Sequence, residues 1–314
     1  MTTIIWQKKK RAIHLIHFLF TVSLFLIALL LFLYSSEIKK TIQSTLIIAY
    51  KSLIPTLFPF MILSGVSMHV LCQSDEKKQC EPRNTKRLSH YLLLASAMVF
   101  GFPIGAKVVS DLYNENKITM EETNRYLPLL NQTSLPFVTL VVGHDFLSSS
   151  TLGLMLYTCM LLSAFIVFLY TREKRNDTIL PKKPSVTRDF SLVSCIRNAT
   201  QNMLYIVGFL VAFSIPTALA KACFGGVFSV LISMVLELSS GCCAIVEYFS
   251  SASLFRIPLL CFCISFGGFC VGAQSKMCIG EAPFSMREYY IRKFFQGIIA
   301  FCLGFFIQFL PIPK

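Results

Sequence analysis

Long stretches of this chain contain no Asp, Glu, Lys or Arg, and that limits its fold more than any other feature. They run from Ala12 to Ser36, Ser52 to Ser74, Leu88 to Ala106, Tyr126 to His144, Phe146 to Thr171, Asn198 to Ala220, Ile257 to Ser275 and Phe294 to Pro313. A helix needs about 20 apolar residues to cross the hydrocarbon of a bilayer, and most of these runs are long enough. Lipid offers the backbone no hydrogen-bond partner, so only helices and closed barrels can cross it. None of the runs alternates as barrel strands do. The expected fold is therefore an all-α polytopic membrane protein, with the lipid bilayer as its solvent. Composition agrees: 14% of residues are charged, against about 25% in a soluble domain.

The net charge of +13 reflects topology, not nucleic-acid binding. The basic residues sit in short segments between apolar runs: Lys8 to Arg11, then Lys77, Lys78, Arg83, Lys86 and Arg87, then Arg172, Lys174, Arg175, Lys182, Lys183 and Arg188. Such segments stay on the cytoplasmic side, which also puts the N-terminus there. The run after Lys8 to Arg11 exceeds the roughly 15-residue core of a signal peptide. Leu33-Tyr-Ser-Ser36 lacks a small-x-small cleavage site, so a retained signal-anchor helix is expected. The 12 cysteines form no CxxC pair. Most lie inside apolar runs, as polarisable packing residues. Cys72 and Cys80 flank a segment assigned to the reducing cytoplasm, where a disulfide does not persist.

The apolar runs divide the chain into a basic tail and anchor (1–43), a first half (44–170), a basic linker (171–189) and a second half (190–314). Spans are expected near 13–34, 42–72, 148–170, 195–220 and 290–310. Pro55 and Pro59 interrupt the second of these. Residues 108–126 read as an amphipathic helix on the cytoplasmic surface, with Thr119 placed to cap its continuation at Met120. The run 224–247 carries a polar break from Glu237 to Gly241 and reads as a re-entrant hairpin. Counting hairpins, seven to nine membrane segments are expected.

The two halves share a motif. Gly101-Phe-Pro-Ile-Gly-Ala-Lys107 matches Gly268-Phe-Cys-Val-Gly-Ala-Gln274 at four of seven positions, and Met120-Glu-Glu122 matches Met286-Arg-Glu288 downstream. Two matches in the same order point to an internal repeat. The hairpin reading of 224–247 makes that repeat inverted, although Arg287, Arg292 and Lys293 then fall on the side opposite the other basic segments. Secondary carriers are built from such repeats, and their sites lie where apolar segments are interrupted.

The interruptions supply the candidate site. Gly101, Gly105, Gly268 and Gly272, with Pro103, either open the backbone at a broken helix or allow close helix packing. An exposed half-helix start favours an anion, and Lys107 would strengthen it or else reach the interface. Asn131-Gln132-Thr133-Ser134 needs partners inside an apolar run, from a solute or from neighbouring helices. Glu237, with Ser239 and Ser240 beside it, is an ionisable group at membrane depth and a candidate partner for a proton or coupling cation. Its alternatives are an interfacial position or a pair with Lys107. Gln274 closes the second glycine motif. No Walker loop, HExxH, GxSxG or paired metal motif occurs, so no enzyme activity, metal or cofactor is expected.

These segments together resemble the sporulation integral membrane proteins that carry the nucleoside-recognition, or Gate, domain. The resemblance covers roughly residues 44–305. Its carriers are Ser52-Leu-Ile-Pro-Thr-Leu-Phe-Pro-Phe60, Gly101 to Lys107, Asn131-Gln-Thr-Ser134 with Pro136, Leu236-Glu-Leu-Ser-Ser-Gly241, and Ser265-Phe-Gly-Gly268 with Gly272-Ala-Gln274. The chain departs from the family pattern at Asn131 to Pro136 and at Ser239-Ser240-Gly241. The resemblance implies a fold related to concentrative nucleoside transporters. It also implies passage of dipicolinic acid, a small anionic solute, across the outer forespore membrane. A nucleoside or other solute symporter on the same fold, and a non-transporting scaffold for spore-envelope assembly, are the other functions considered.

Overall fold

The computed structural model describes residues 18, 20–76, 97–114, 118–171, 191–280 and 284–309. The described residues are all helical or connecting, with no strand. The basic segments Lys8 to Arg11, Lys77 to Arg87 and Arg172 to Arg188 lie outside them, as does most of the 171–189 linker.

Helix α1 (Phe20–Leu33) leads almost directly into α2 (Ser35–Ile48). A π-helical turn, Ala49–Leu53, joins α2 to α3 (Ile54–Glu76). Pro59 lies inside α3, whose helix continues past it. Next come α4 (Ile104–Asn114), α5 (Met120–Leu130), a π-helical segment Phe137–Phe146, and α6 (Ser150–Tyr170). Helix α7 (Leu192–Cys223) opens the second half. It is followed by α8 (Gly226–Leu236), α9 (Leu238–Tyr248), α10 (Arg256–Phe266), α11 (Gly268–Ile279) and α12 (Met286–Ile307). Among the described residues, five helices are long and apolar enough to cross a membrane: Ser35–Leu63, Ser150–Tyr170, Leu192–Cys223, Arg256–Ile279 and Met286–Ile307.

The break in Arg256–Ile279 explains that span's position. It is the most enclosed of the five, with 72% of its central window buried against 22–39% for the others. Interrupted backbone at membrane depth survives only when protein surrounds it. Here α10 packs on α12 and α6, and α11 packs on α4. Unbroken helices turn Leu, Ile and Phe outward instead, among them Phe25, Leu169, Leu204 and Phe306. Such faces suit lipid.

Helices α8 and α9 form a hairpin, as the polar break suggested. Each has 11 residues and so is only about 16 Å long, half of what a crossing needs. Their axes fold back closely enough that a Cβ on Gly241 would sit 2.7 Å from the Met234 Cα. The segment read as one surface helix over 108–126 is different. It is two helices, and α4 buries Val108, Val109 and Leu112. Its apolar stripe faces protein. The Thr119 cap does form: the Thr119 hydroxyl accepts from the Glu122 amide and the Glu122 carboxylate accepts from the Thr119 amide, satisfying two otherwise orphaned donors. The ten described free cysteines include none in a disulfide.

The π-helical segment and α6 meet through Gly143 and Gly153. A Cβ on Gly153 would stand 2.8 Å from both the Thr139 Cα and the Val138 carbonyl oxygen, where only backbone could yield. Gly208, on α7, has nothing within 4 Å of such a Cβ. Gly153→Val should therefore destabilise the detergent-purified protein by about 1–3 kcal/mol. Gly208→Ala should be neutral or slightly stabilising. Thermal unfolding of the two variants checks this.

Candidate functional site

Four interruptions of helix meet in the interior. Gly101 precedes α4 with φ +67°, and Gly267 and Gly268 separate α10 from α11 with φ +80° and +76°. Asn131–Ser134 separates α5 from the π-helical segment, and Glu237 separates α8 from α9 in extended backbone. They touch in sequence. The Phe102 amide donates to the Gln132 carbonyl at 2.7 Å. The Thr133 hydroxyl donates to the Ile264 carbonyl at 2.6 Å, just before the Gly267 break. A Cβ on Gly268 would lie 3.2 Å from the Glu237 nitrogen and the Leu236 carbonyl. One on Gly101 would lie 2.6 Å from the Gln132 oxygen. Left-handed φ and this crowding both demand glycine.

The Asn131–Ser134 side chains are all buried. Asn131 Nδ2 donates to Ser275 Oγ (2.5 Å) and Tyr289 Oη (2.9 Å). Gln132 Nε2 donates to the Pro128 and Leu129 carbonyls, so it helps to close the end of α5. Ser134 Oγ accepts from the Phe137 amide at 3.4 Å. Three buried polar atoms here have no hydrogen-bond partner among the described residues: Asn131 Oδ1, Ser265 Oγ and Gln274 Oε1. Buried polar groups are normally paired. The α5 break, the end of α10 and the middle of α11 therefore each keep unspent hydrogen-bonding capacity.

Glu237 is 2% exposed, and its carboxylate already has partners. Oε1 accepts from the Ser239 amide at 2.7 Å and Oε2 from the Ser240 amide at 2.6 Å. It is the N-cap of α9 and sits at its positive end. This refines the anion argument: the α9 start is neutralised by the chain's own carboxylate. Among the described residues no ion pair joins Glu237 to Lys107. Lys107 is half-buried, one turn into α4.

The remaining candidates divide between break and packing. Pro103 is buried after a cis Phe102–Pro103 bond. A Cβ on Gly105 would lie within 2.9 Å of the Asn131 nitrogen, so its absence lets α4 seat against the end of α5. One on Gly272 would run into the Tyr290 ring. Gly105 and Gly272 are thus contact glycines. Ser239 and Ser240 contribute their amides. Gln274 is 2% exposed, with Nε2 on Cys270 Sγ at 3.4 Å.

Sequence reasoning missed one face of α12. Lys293 is 1% exposed and Gln296 is 1% exposed. Lys293 Nζ donates to Gln132 Oε1 and Gln296 Oε1, both at 3.1 Å, and to the Asn131 carbonyl at 3.5 Å. Gln296 Nε2 donates to Gln132 Oε1 at 2.7 Å and to the Met160 carbonyl at 3.3 Å. Tyr289, Lys293 and Gln296, spaced four and three apart, form one polar stripe on a helix. That periodicity was the available signal. Lys293 is therefore not a loop charge, which removes one of the three residues that spoke against an inverted arrangement. Arg292 is anchored as well, through Nη1 to the Asn124 carbonyl at 2.8 Å.

The fold and the site define an all-helical protein with membrane-length spans and interrupted helices that meet at a polar centre. Among the described residues, no group of three or more His, Cys, Asp or Glu side chains could hold a metal ion. The chain is similar to the sporulation integral membrane protein YlbJ of Bacillus subtilis (strain 168), at 24% identity over 250 residues. The match covers 66% of this chain and 61% of that protein's own length. No family model matches the chain, and no solved structure matches it.

The Thr133–Ile264 bond ties the first-half break to the second-half break. Thr133→Val keeps the side chain's size and leaves the buried Ile264 carbonyl unpaired. It should cost about 1–3 kcal/mol, measurable as a lower midpoint of thermal unfolding in detergent.

Proposed function

We propose that this chain carries a small anionic solute across a membrane, with dipicolinic acid crossing the outer forespore membrane as the foremost case. The observation that carries the reading is the meeting of four helix interruptions in the interior, with the buried Lys293 amine against the Asn131–Gln132 break. The unpaired Asn131 Oδ1 and Gln274 Oε1 are acceptors and suit a coupling cation or a donor group. Unwound backbone enclosed by membrane-length helices is how secondary carriers build a solute site. A scaffold has no need of it, since lost helical bonds and buried unpaired polar atoms cost stability. Similarity to a sporulation integral membrane protein supports the sporulation context, and dipicolinate is the solute that the resemblance to Gate-type proteins implies.

The order of elements supports two related halves, in a register different from the glycine match. Gly101 with α4, then α5 and its break, then the long α6, runs parallel to α8, Glu237 and α9, then α10 and its break, then the long α12. Gly101 thereby corresponds to Glu237, and Asn131–Ser134 to Gly267–Gly268. On this reading the 44–170 and 190–314 halves contribute equally to one site. Glu237 shapes the hairpin tip. Its remaining lone pairs are available to a coupling cation or proton.

Glu237→Gln tests the reading in spores. A carboxamide presents only one acceptor to two amides, so either Ser239 or Ser240 loses its partner. In a sporulating host that lacks its own dipicolinate carrier, the wild-type gene should restore dipicolinate accumulation. Glu237→Gln should lower it by about tenfold or more, with the protein present in the membrane at normal level. Restoration to an equal level by both genes would overturn the role given to Glu237, and no restoration by either, with protein present in the membrane, would favour the scaffold reading.

A further inference from the structure

We infer that Lys293 is the residue that recognises the anionic group of the solute, binding a single carboxylate beside the Asn131–Gln132 break. This rests on the carrier reading above for its setting, but not for its test.

Lys293 lacks an acidic partner among the described residues. A buried ammonium is normally paired with a carboxylate, because removing it from water costs several times what one neutral hydrogen bond returns. Every described acceptor of Lys293 is neutral: the carboxamide oxygens of Gln132 and Gln296 and the Asn131 carbonyl. The other buried charge of the interior, Glu237, is spent on the Ser239 and Ser240 amides. Three oxygens within 3.5 Å of Lys293 Nζ can solvate an ammonium, and a carboxylate brought beside them would favour that charged form.

Its position makes that charge useful. Lys293 touches the backbone of Asn131 at the α5 break. Asn131 Nδ2 reaches Tyr289, one turn earlier on the same face of α12. A carboxylate is a stronger acceptor than a carboxamide oxygen and could take one of the three N–H bonds. Gln132 and Gln296, which already bond each other, would keep the remaining contacts. Lysine suits a point-like contact with one oxygen group, where a bidentate clamp would call for arginine. A lysine that merely fastened α12 to α5 would not need its charge: the Gln132–Gln296 bond does this already.

The test separates charge recognition from packing. Wild type, Lys293→Gln and Lys293→Arg are purified in detergent and titrated by calorimetry with dipicolinate and with its neutral diamide. The same proteins are placed in liposomes for uptake of dipicolinate. Wild type should bind dipicolinate more tightly than the diamide. Lys293→Gln should lose about ten- to a hundredfold in dipicolinate affinity, with diamide affinity changed less than threefold. Lys293→Arg should recover part of the loss. Unchanged dipicolinate affinity in Lys293→Gln overturns the assignment, as does equal weakening for both compounds. Binding that follows the expected pattern without uptake sustains the Lys293 assignment and overturns the carrier reading. Uptake that Lys293→Gln leaves intact does the reverse. No saturable binding of either compound by folded wild-type protein overturns both.

Discussion

A helix broken inside a membrane leaves amides and carbonyls that neither lipid nor water will satisfy. That single constraint orders this structure. Each break is satisfied by another break or by a side chain sent to it. The Phe102 amide goes to the Gln132 carbonyl, the Thr133 hydroxyl to the Ile264 carbonyl, and the Glu237 carboxylate to two amides of its own helix. The breaks have to lie together for this to work, and the helices carrying them have to be the enclosed ones. The 72% buried window of Arg256–Ile279 is the consequence. So are the glycines: Gly101 and Gly268 adopt left-handed φ with neighbouring backbone against them, a combination that any side chain would obstruct.

Satisfaction is incomplete, and what remains is informative. Asn131, at the end of α5, Ser265 in α10 and Gln274 in α11 keep unpaired polar atoms. On the α12 side lies Lys293, with neutral oxygens only. A rigid structural plug would gain stability by replacing these groups with apolar residues of similar size. Retaining them makes sense where a polar solute passes. The interior also keeps two buried ionisable side chains apart. Glu237 belongs to the α8–α9 tip and Lys293 to the α5–α12 contact.

Much of this was legible in the residues. Charge-free length placed the spans Ser150–Tyr170, Leu192–Cys223 and Met286–Ile307, because crossing a bilayer leaves few alternatives. The membrane-length helix expected at 42–72 runs instead over Ser35–Leu63. Of the one expected at 13–34, the described residues hold the shorter Phe20–Leu33. Pro and Gly clusters, together with polar residues in apolar runs, marked Gly101, Asn131–Ser134, Glu237 and Gly268, because each breaks the helical pattern locally. The hairpin at Glu237 followed from the polar break, Glu237 to Gly241, inside an apolar run. Lys293 and Gln296 were not found. They lie in a continuous helix next to Arg287 and Arg292, so local reading assigns Lys293 to a cluster of loop charges. Its burial depends on which face of α12 meets the α5 break, a tertiary fact that only the spacing of Tyr289, Lys293 and Gln296 foreshadows. The surface reading of 108–126 failed for the mirror-image reason. An amphipathic stripe shows that one face is apolar, not whether its partner is lipid or another helix, and α11 turned out to cover it.

The chain is similar to a sporulation integral membrane protein, and its broken helices are what the proposed carrier function rests on. The central claim is that they form a site through which a solute crosses. Uptake of labelled dipicolinate into liposomes measures this directly, with the protein verified as folded and inserted. The account predicts saturable uptake above that of protein-free liposomes and competition by unlabelled dipicolinate. Uptake indistinguishable from protein-free liposomes would contradict it.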